Sequence, residues 1–207
     1  MRNYIGRLSF PGADGGRAVW FESLNELSHW RDLLVNHRVT QMSTQPLRVD
    51  WSLTTGRRSH VPDALLRLRD GTTMLVDITT METVQKPRAL AAFILTAATA
   101  TALGWAYQLR SELPAQRVLN TSSVWACRHA DPAVHQSLLA RAVTVGLPAR
   151  LDQVAQQLTD LAPGLWAVQH LVAHGALGLD LNSALQLSST VHEQMPTLGR
   201  PAWLIDV

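Results

Sequence analysis

The sequence predicts an α/β domain followed by a small helical domain, and three observations carry that prediction. Helical, alternating and turn-rich stretches follow one another up to about residue 115. Among them lies an uncharged run from Ala89 to Tyr107 that reads as a helix buried on both sides. Past Asp131 the pattern becomes almost wholly helical, with Gly and Pro breaks. The division falls between residues 1–115 and 116–207.

Taken in order, residues 1–18 are rich in Gly and Arg and are expected to form an irregular arm. From Val19 to Val35, apolar residues at Trp20, Leu24, Leu27, Trp30 and Leu34 recur at helical spacing. Glu22 and Glu26 lie one turn apart on another face. QPLRVDWSL reads as a strand with Leu47, Val49 and Trp51 on one side, and TTGRRS as its turn. A hairpin follows in HVPDALLRLRDGTTMLVDIT. A three-residue loop, Arg69-Asp70-Gly71 with Gly71 in the left-handed position, sets Leu68 against Thr72 and Asp63 against Asp77. A two-residue Asp70-Gly71 turn would instead shift the register by one and separate the acids. On the first register Ala64, Leu66, Leu68, Met74, Val76 and Ile78 share an apolar face. Asp63, Arg67, Thr73, Asp77 and Thr79 share the other with Leu65 and Leu75, so both carboxylates are expected to point out of the core. A loop with Lys86, Pro87 and Arg88 leads into the apolar helix, and GWAYQLR reads as a strand. DPAVHQSLLARAVTVG, RLDQVAQQLTDLA and GLWAVQHLVAHG then read as three helices, with short extended pieces around ALGLDL and ALQLSSTV. Three helices and a small hairpin are the parts of a winged-helix domain.

Composition bounds the rest. With 207 residues, 46% of them hydrophobic, the chain can fill a real core. A formal charge of +2 leaves no basic tail, so any nucleic-acid surface must be a local patch. The single cysteine, Cys127, excludes an internal disulfide and reads as a small buried hydrophobe. MRNYIGRLSF lacks the apolar core of a signal peptide, so a cytoplasmic location is expected. Ala89 to Tyr107 is long enough for a membrane span, but its threonines, Gly104 and many alanines favour a buried helix, and no membrane association is expected.

Two carboxylates on adjacent strands, with a glutamate from a packed helix, can hold magnesium through hard oxygen ligands. Such ions activate water and stabilise charge on a phosphodiester. The residue two past the second acid points the same way, and a lysine there would neutralise developing negative charge. This chain has Thr79 at that place.

The elements in order, FESLNE on a first helix, a TQP strand opening, HVPD, a DG hairpin, VDIT, KPR before a helix and GW into a strand, resemble the TnsA-type transposon endonucleases. Those enzymes belong to the PD-(D/E)XK nuclease superfamily. The resemblance covers roughly residues 19–110, and more loosely the HLVAHGALGLDL region. It implies a restriction-endonuclease-like mixed sheet flanked by helices, followed by a small winged-helix-like domain that contacts partner or DNA. The helix glutamate of the family falls on Glu26, with Glu22 as the other candidate. The PD aspartate falls on Asp63, the second acid on Asp77 and the lysine position on Thr79. Threonine cannot replace an ammonium. Lys86, at the entry to the next helix, is the candidate replacement for that charge. Glu26, Asp63 and Asp77 would bind Mg2+, with Mn2+ substituting. The resemblance further implies cutting of one strand at transposon ends, an integrase-type transposase subunit as partner, and an ATP-dependent regulator. The alternative is a non-catalytic adaptor of the same fold that binds DNA or the transposase.

His170 and His174, four apart on a helix, could share a metal, but no HExxH pattern is present and the helix reads as packed. His60 precedes the PD turn, where a phosphate could lie. Arg57, Arg58 and Arg67 could contact a DNA backbone. The seven tryptophans read mostly as core.

Overall fold

The computed structural model describes residues 4–10, 17–35, 38–193, 204, 205 and 207. They fall into two compact units. One holds the described parts of Met1–Trp30, Arg38–Leu113 and Arg200–Val207, the other those of Arg31–His37 and Pro114–Gly199.

The chain starts as a hairpin rather than an irregular arm. Strands β1 (Gly6–Phe10) and β2 (Arg17–Phe21) pair antiparallel, with Leu8 opposite Val19. Leu8, Phe10 and Val19 are buried while Trp20 is 60% exposed, a period of two that displaces the first turns of the expected helix. Helix α1 (Leu24–Val35) begins only after Ser23. The Ser23 hydroxyl accepts the Glu26 amide at 3.1 Å, and the Glu26 carboxylate takes the Ser23 hydroxyl and the Glu22 amide. This reciprocal arrangement resembles a capping box and satisfies the Glu26 amide, while its carboxylate reaches one residue before the cap. The buried face of α1 carries His29, Trp30, Leu33 and Val35, whereas Leu24, expected in the stripe, is 55% exposed.

Strand β3 (Val39–Thr44) was not legible beforehand, because VTQMST has a single large apolar residue, Met42, that becomes buried. Strands β4 (Val49–Leu53) and β5 (Gly56–His60) form a separate two-stranded ribbon, so much of TTGRRS is strand rather than turn. Strands β6 (Ala64–Leu68) and β7 (Thr73–Ile78) make the expected hairpin. Leu66 faces Met74 and Arg67 faces Thr73. Gly71 closes the loop at φ 88°, the left-handed conformation a glycine adopts without steric cost. The three-residue loop is therefore the one formed. A short helix α2 (Met81–Val84) precedes α3 (Pro87–Ala102), with Pro87 in its first turn. Hydroxyls of Thr96, Thr99 and Thr101 bond back to carbonyls one turn earlier, which satisfies their polar atoms on a weakly polar helix. Among the described residues no helix is long and apolar enough to cross a membrane. Strand β8 (Ala106–Arg110) then lies parallel to β7, with α3 as the crossover.

The second unit contains α4 (Ala115–Ala126), a helix the sequence pattern did not single out. After it come α5 (Pro132–Ala142), β9 (Ala149–Arg150), α6 (Leu151–Leu158), α7 (Gly164–Ala173) and β10 (Thr190–Val191). The last strand pairs with β9, and a bridge joins Gly178 to His192. Val124, Leu138, Val154, Leu158, Val168 and Leu171 are fully buried. A side chain at Gly164 would collide with the Ala155 carbonyl, so glycine lets α7 approach α6. Asp32 and Arg117 form a buried ion pair at 2.6 Å, and Arg117 also holds the Asn182 side chain.

Finally β11 (Leu204–Ile205) pairs antiparallel with β8 in the first unit. The result is a mixed five-stranded sheet in the order β11-β8-β7-β6-β3, flanked by helices.

Candidate active site

The hairpin brings Asp63 and Asp77 to facing positions. The Ile78 amide donates to Oδ2 of Asp63 at 2.6 Å, while the Asp63 amide reaches Oδ1 of Asp77 at 3.4 Å. The two acids thus hold each other's strand ends as well as sharing a face.

Their face is not open, contrary to the expectation of outward-pointing carboxylates. Asp77 is 1% exposed. Nε2 of His60, at the end of β5, donates to its Oδ1 at 2.9 Å, and the Tyr107 hydroxyl from β8 donates to Oδ2 at 2.7 Å. His60 in turn meets Phe93 of α3 edge-on, at 5.9 Å between ring centres. The β4–β5 ribbon and α3 therefore cover the end of β7 that the alternating pattern left polar.

Burial is the largest influence on Asp63 and pushes its carboxyl up. The Ile78 amide opposes that, the charges of Asp77 and Glu26 add to it, and His60 counters; the outcome is about 7. For His60 burial acts downward, but the hydrogen bond and charge of Asp77, with the charge of Asp63, outweigh it and raise its pKa. Burial first, then Asp77, raises the Tyr107 hydroxyl, which stays a neutral donor.

Glu26 lies close enough for its charge to reach Asp63, although its carboxylate caps α1. Glu22 is exposed and accepts the Gln45 side-chain amide at 2.8 Å. Gln45 also donates its backbone amide to the Asp63 carbonyl, and it does so at φ 46°. A left-handed non-glycine residue costs roughly 1–2 kcal/mol, and such strain concentrates at functional sites.

Thr79 is buried, its amide bonded to the Arg110 carbonyl and its carbonyl to the Asn25 side chain. Lys86 pairs with a different carboxylate. It sits exposed at the N-cap of α3, paired with Glu82 at 3.0 Å. Arg57 lies on β5 and is exposed, Arg58 is half-buried, and exposed Arg67 bonds the Thr73 hydroxyl. Trp30 and Trp125 are core residues, Trp20 is not, and Trp203 lies outside the described residues. Cys127 is free and buried.

Hard carboxylate oxygens suit Mg2+ by donor type, although among the described residues Glu26, Asp63 and Asp77 do not converge into one group of metal-ligating atoms. Among the described residues Oδ1 of Asp63 takes no hydrogen bond, and Oδ2 of Asp77 and both oxygens of Glu26 each accept one and keep a further lone pair, whereas Oδ1 of Asp77 already accepts from both His60 and the Asp63 amide. Sequence reasoning missed Tyr107. Its signal was the parity of GWAYQLR, which puts Tyr107 level with Leu75 on the acid-bearing face.

Comparison of the chain with models of known protein families and with curated proteins finds no match to either.

Proposed function

We propose that the first unit is a restriction-endonuclease-like, PD-(D/E)XK nuclease domain. In this reading the protein is the TnsA-like, strand-cutting subunit of a heteromeric transposase, acting in the cytoplasm on transposon-end DNA. The observation that carries it is the pairing of Asp63 with Asp77 beside Glu26, with the Asp63 carboxyl held near neutrality. Buried carboxylates that repel one another take up a proton or a cation.

Glu26, Asp63 and Asp77 would hold Mg2+, or Mn2+ in its place. Bound there, the ion supplies Lewis-acid stabilisation of a phosphodiester's developing charge and lowers the pKa of water. The chain's own residues do the positioning. His60 and Tyr107 fix the Asp77 carboxylate in one orientation, and the Ile78 amide fixes Asp63. Exposed Arg57 and Arg67 offer phosphate contacts.

A second reading rests on the charge deficit. Thr79 brings no cation, and Lys86 is paired with Glu82 at the surface. A nuclease fold without that charge serves as an adaptor for DNA or the integrase-type transposase. From α5 onward the second unit runs helix, strand, two helices, then a bridge and strand, an order that supports a winged-helix-like domain. Its α7 has no Lys or Arg, which favours a protein partner, transposase or ATP-dependent regulator, over DNA for that helix.

A nicking assay on supercoiled DNA with Mn2+, alone and with the transposase subunit, separates the readings. Nicking abolished by Asp63→Ala or Asp77→Ala supports the nuclease. DNA or transposase retention with no nicking supports the adaptor. Unchanged nicking in Lys86→Ala sinks the replacement-lysine role.

A further inference from the structure

The second unit contains a cluster that the acids do not explain. Ligand atoms of His135, His170 and His174 lie within 4.8 Å of one another, and among the described residues no other group of His, Cys, Asp or Glu converges in this way. His135 comes from the first turn of α5, His170 from α7 and His174 from its C-cap. The rings pack with centres 4.5–5.1 Å apart.

Two backbone carbonyls set the ring tautomers. Nδ1 of His170 donates to the Cys127 carbonyl at 2.8 Å, and Nε2 of His174 donates to the Arg128 carbonyl at 2.8 Å. A carbonyl only accepts, so each of these nitrogens carries the proton. Nε2 of His170 and Nδ1 of His174 are thereby left with lone pairs. Consecutive carbonyls at the end of α4 thus prepare one ligand atom on each of two rings, the arrangement by which outer partners orient metal-bound histidines. Trp166 stacks on His170 at 5.0 Å and fixes its plane. Nδ1 of His135 lies 2.9 Å from Nε2 of His170. Tetrahedral zinc with Zn–N bonds of about 2.0–2.1 Å needs nitrogens about 3.3 Å apart, so small side-chain movements suffice. Moving the His135 proton from Nδ1 to Nε2 completes three neutral imidazole donors without net proton release. Burial, with the neighbouring histidine charge, lowers the pKa of His135. At His170 burial likewise prevails and lowers its pKa.

We propose that His135, His170 and His174 form a binding site for a zinc-class divalent transition metal, with a fourth position left to water or another ligand. Imidazole nitrogens select such ions over magnesium, so this site is chemically separate from Glu26, Asp63 and Asp77. It goes beyond the proposed nuclease function and does not depend on it.

The test is zinc binding by calorimetry on the tag-free, chelator-treated chain, with cobalt(II) absorption as a second readout. The expected result is a single stoichiometric zinc, tetrahedral cobalt bands, and a rise in thermal stability on zinc addition. His135→Gln with His174→Gln, both partly exposed positions, removes all three, while His129→Gln and the Asp63→Ala, Asp77→Ala variant keep them. Wild-type protein that takes up no zinc and leaves the cobalt spectrum that of the aqueous ion overturns the site, whatever the variants do. Zinc lost with the acids and kept without the histidines overturns it equally.

Discussion

Asp63 is central to the proposed cation site, because a proton and the cation would compete for its carboxylate. Its folded pKa of about 7 lies well above the ordinary value, so between about pH 4 and pH 7 the folded chain holds a proton that the unfolded chain has released. The resulting stability is fully present below pH 4 and is lost as pH rises through about 7. His60, also raised when folded, adds a loss of the same sign at its own pKa. Denaturant unfolding followed across this range should show a decline in stability with rising pH, and Asp63→Asn should flatten it. A curve of the same slope in the variant would remove Asp63 as its source. Tyr107→Phe withdraws one of three donors from a buried carboxylate, and a loss of about 1–3 kcal/mol is expected in thermal or denaturant unfolding. The pairing of Asp63 with Asp77 was legible in the sequence because turn chemistry fixes register. Tyr107 and the burial of Asp77 were not, since they depend on which elements cover the strand, and alternation records only that the face is polar.

At the scale of elements, the hairpin follows from one glycine. Gly71 adopts φ 88° with open space around it, so alanine there would meet no neighbour and pay only the left-handed backbone cost. Gly71→Ala should therefore lower stability by about 1 kcal/mol in chemical denaturation, with the register kept. A neutral result would mean that the loop relaxes to another turn. The buried pair of Asp32 with Arg117 behaves differently. Its side chains are 4% and 11% exposed, so Arg117→Ala removes a charged hydrogen-bond donor from a buried carboxylate and should cost about 1.5–3 kcal/mol. Helix α3 was readable from its uncharged run, although Ile94, 47% exposed, shows that it is not buried on both sides, and strands β6, β7 and β8 were readable from alternation and turn residues. The β1–β2 hairpin was not, because Trp20 fits the helical stripe that continues through Leu24 and Leu27, while the first strand lies in a Gly- and Arg-rich stretch. Strand β3 escaped for want of apolar residues, and α4 because its buried face includes Asn120 and Thr121. Asn120 is held there by the Leu181 and Ser183 carbonyls, contacts that no local pattern reveals.

For the molecule as a whole, the mixed five-stranded sheet carries the acids, and the helical unit carries the histidine cluster. The sequence pointed to the first site through ordered local motifs. His170 and His174 were visible as a pair at helical spacing but read as packing, because His135 joins them only through the fold. The two proposed sites differ in donor chemistry, hard carboxylates against imidazoles, and so should be emptied by different substitutions and filled by different ions. The central claim is that Asp63 and Asp77, beside Glu26, form a divalent-cation site. Its most direct test is manganese binding by calorimetry at pH 6 and pH 8, on wild type, the Asp63→Ala, Asp77→Ala variant and the His135→Gln, His174→Gln variant. The account predicts binding that strengthens from pH 6 to pH 8 as Asp63 gives up its proton, persists without the histidines and vanishes without the acids. Manganese binding that is absent at both pH values, or unchanged when both aspartates are removed, would contradict it.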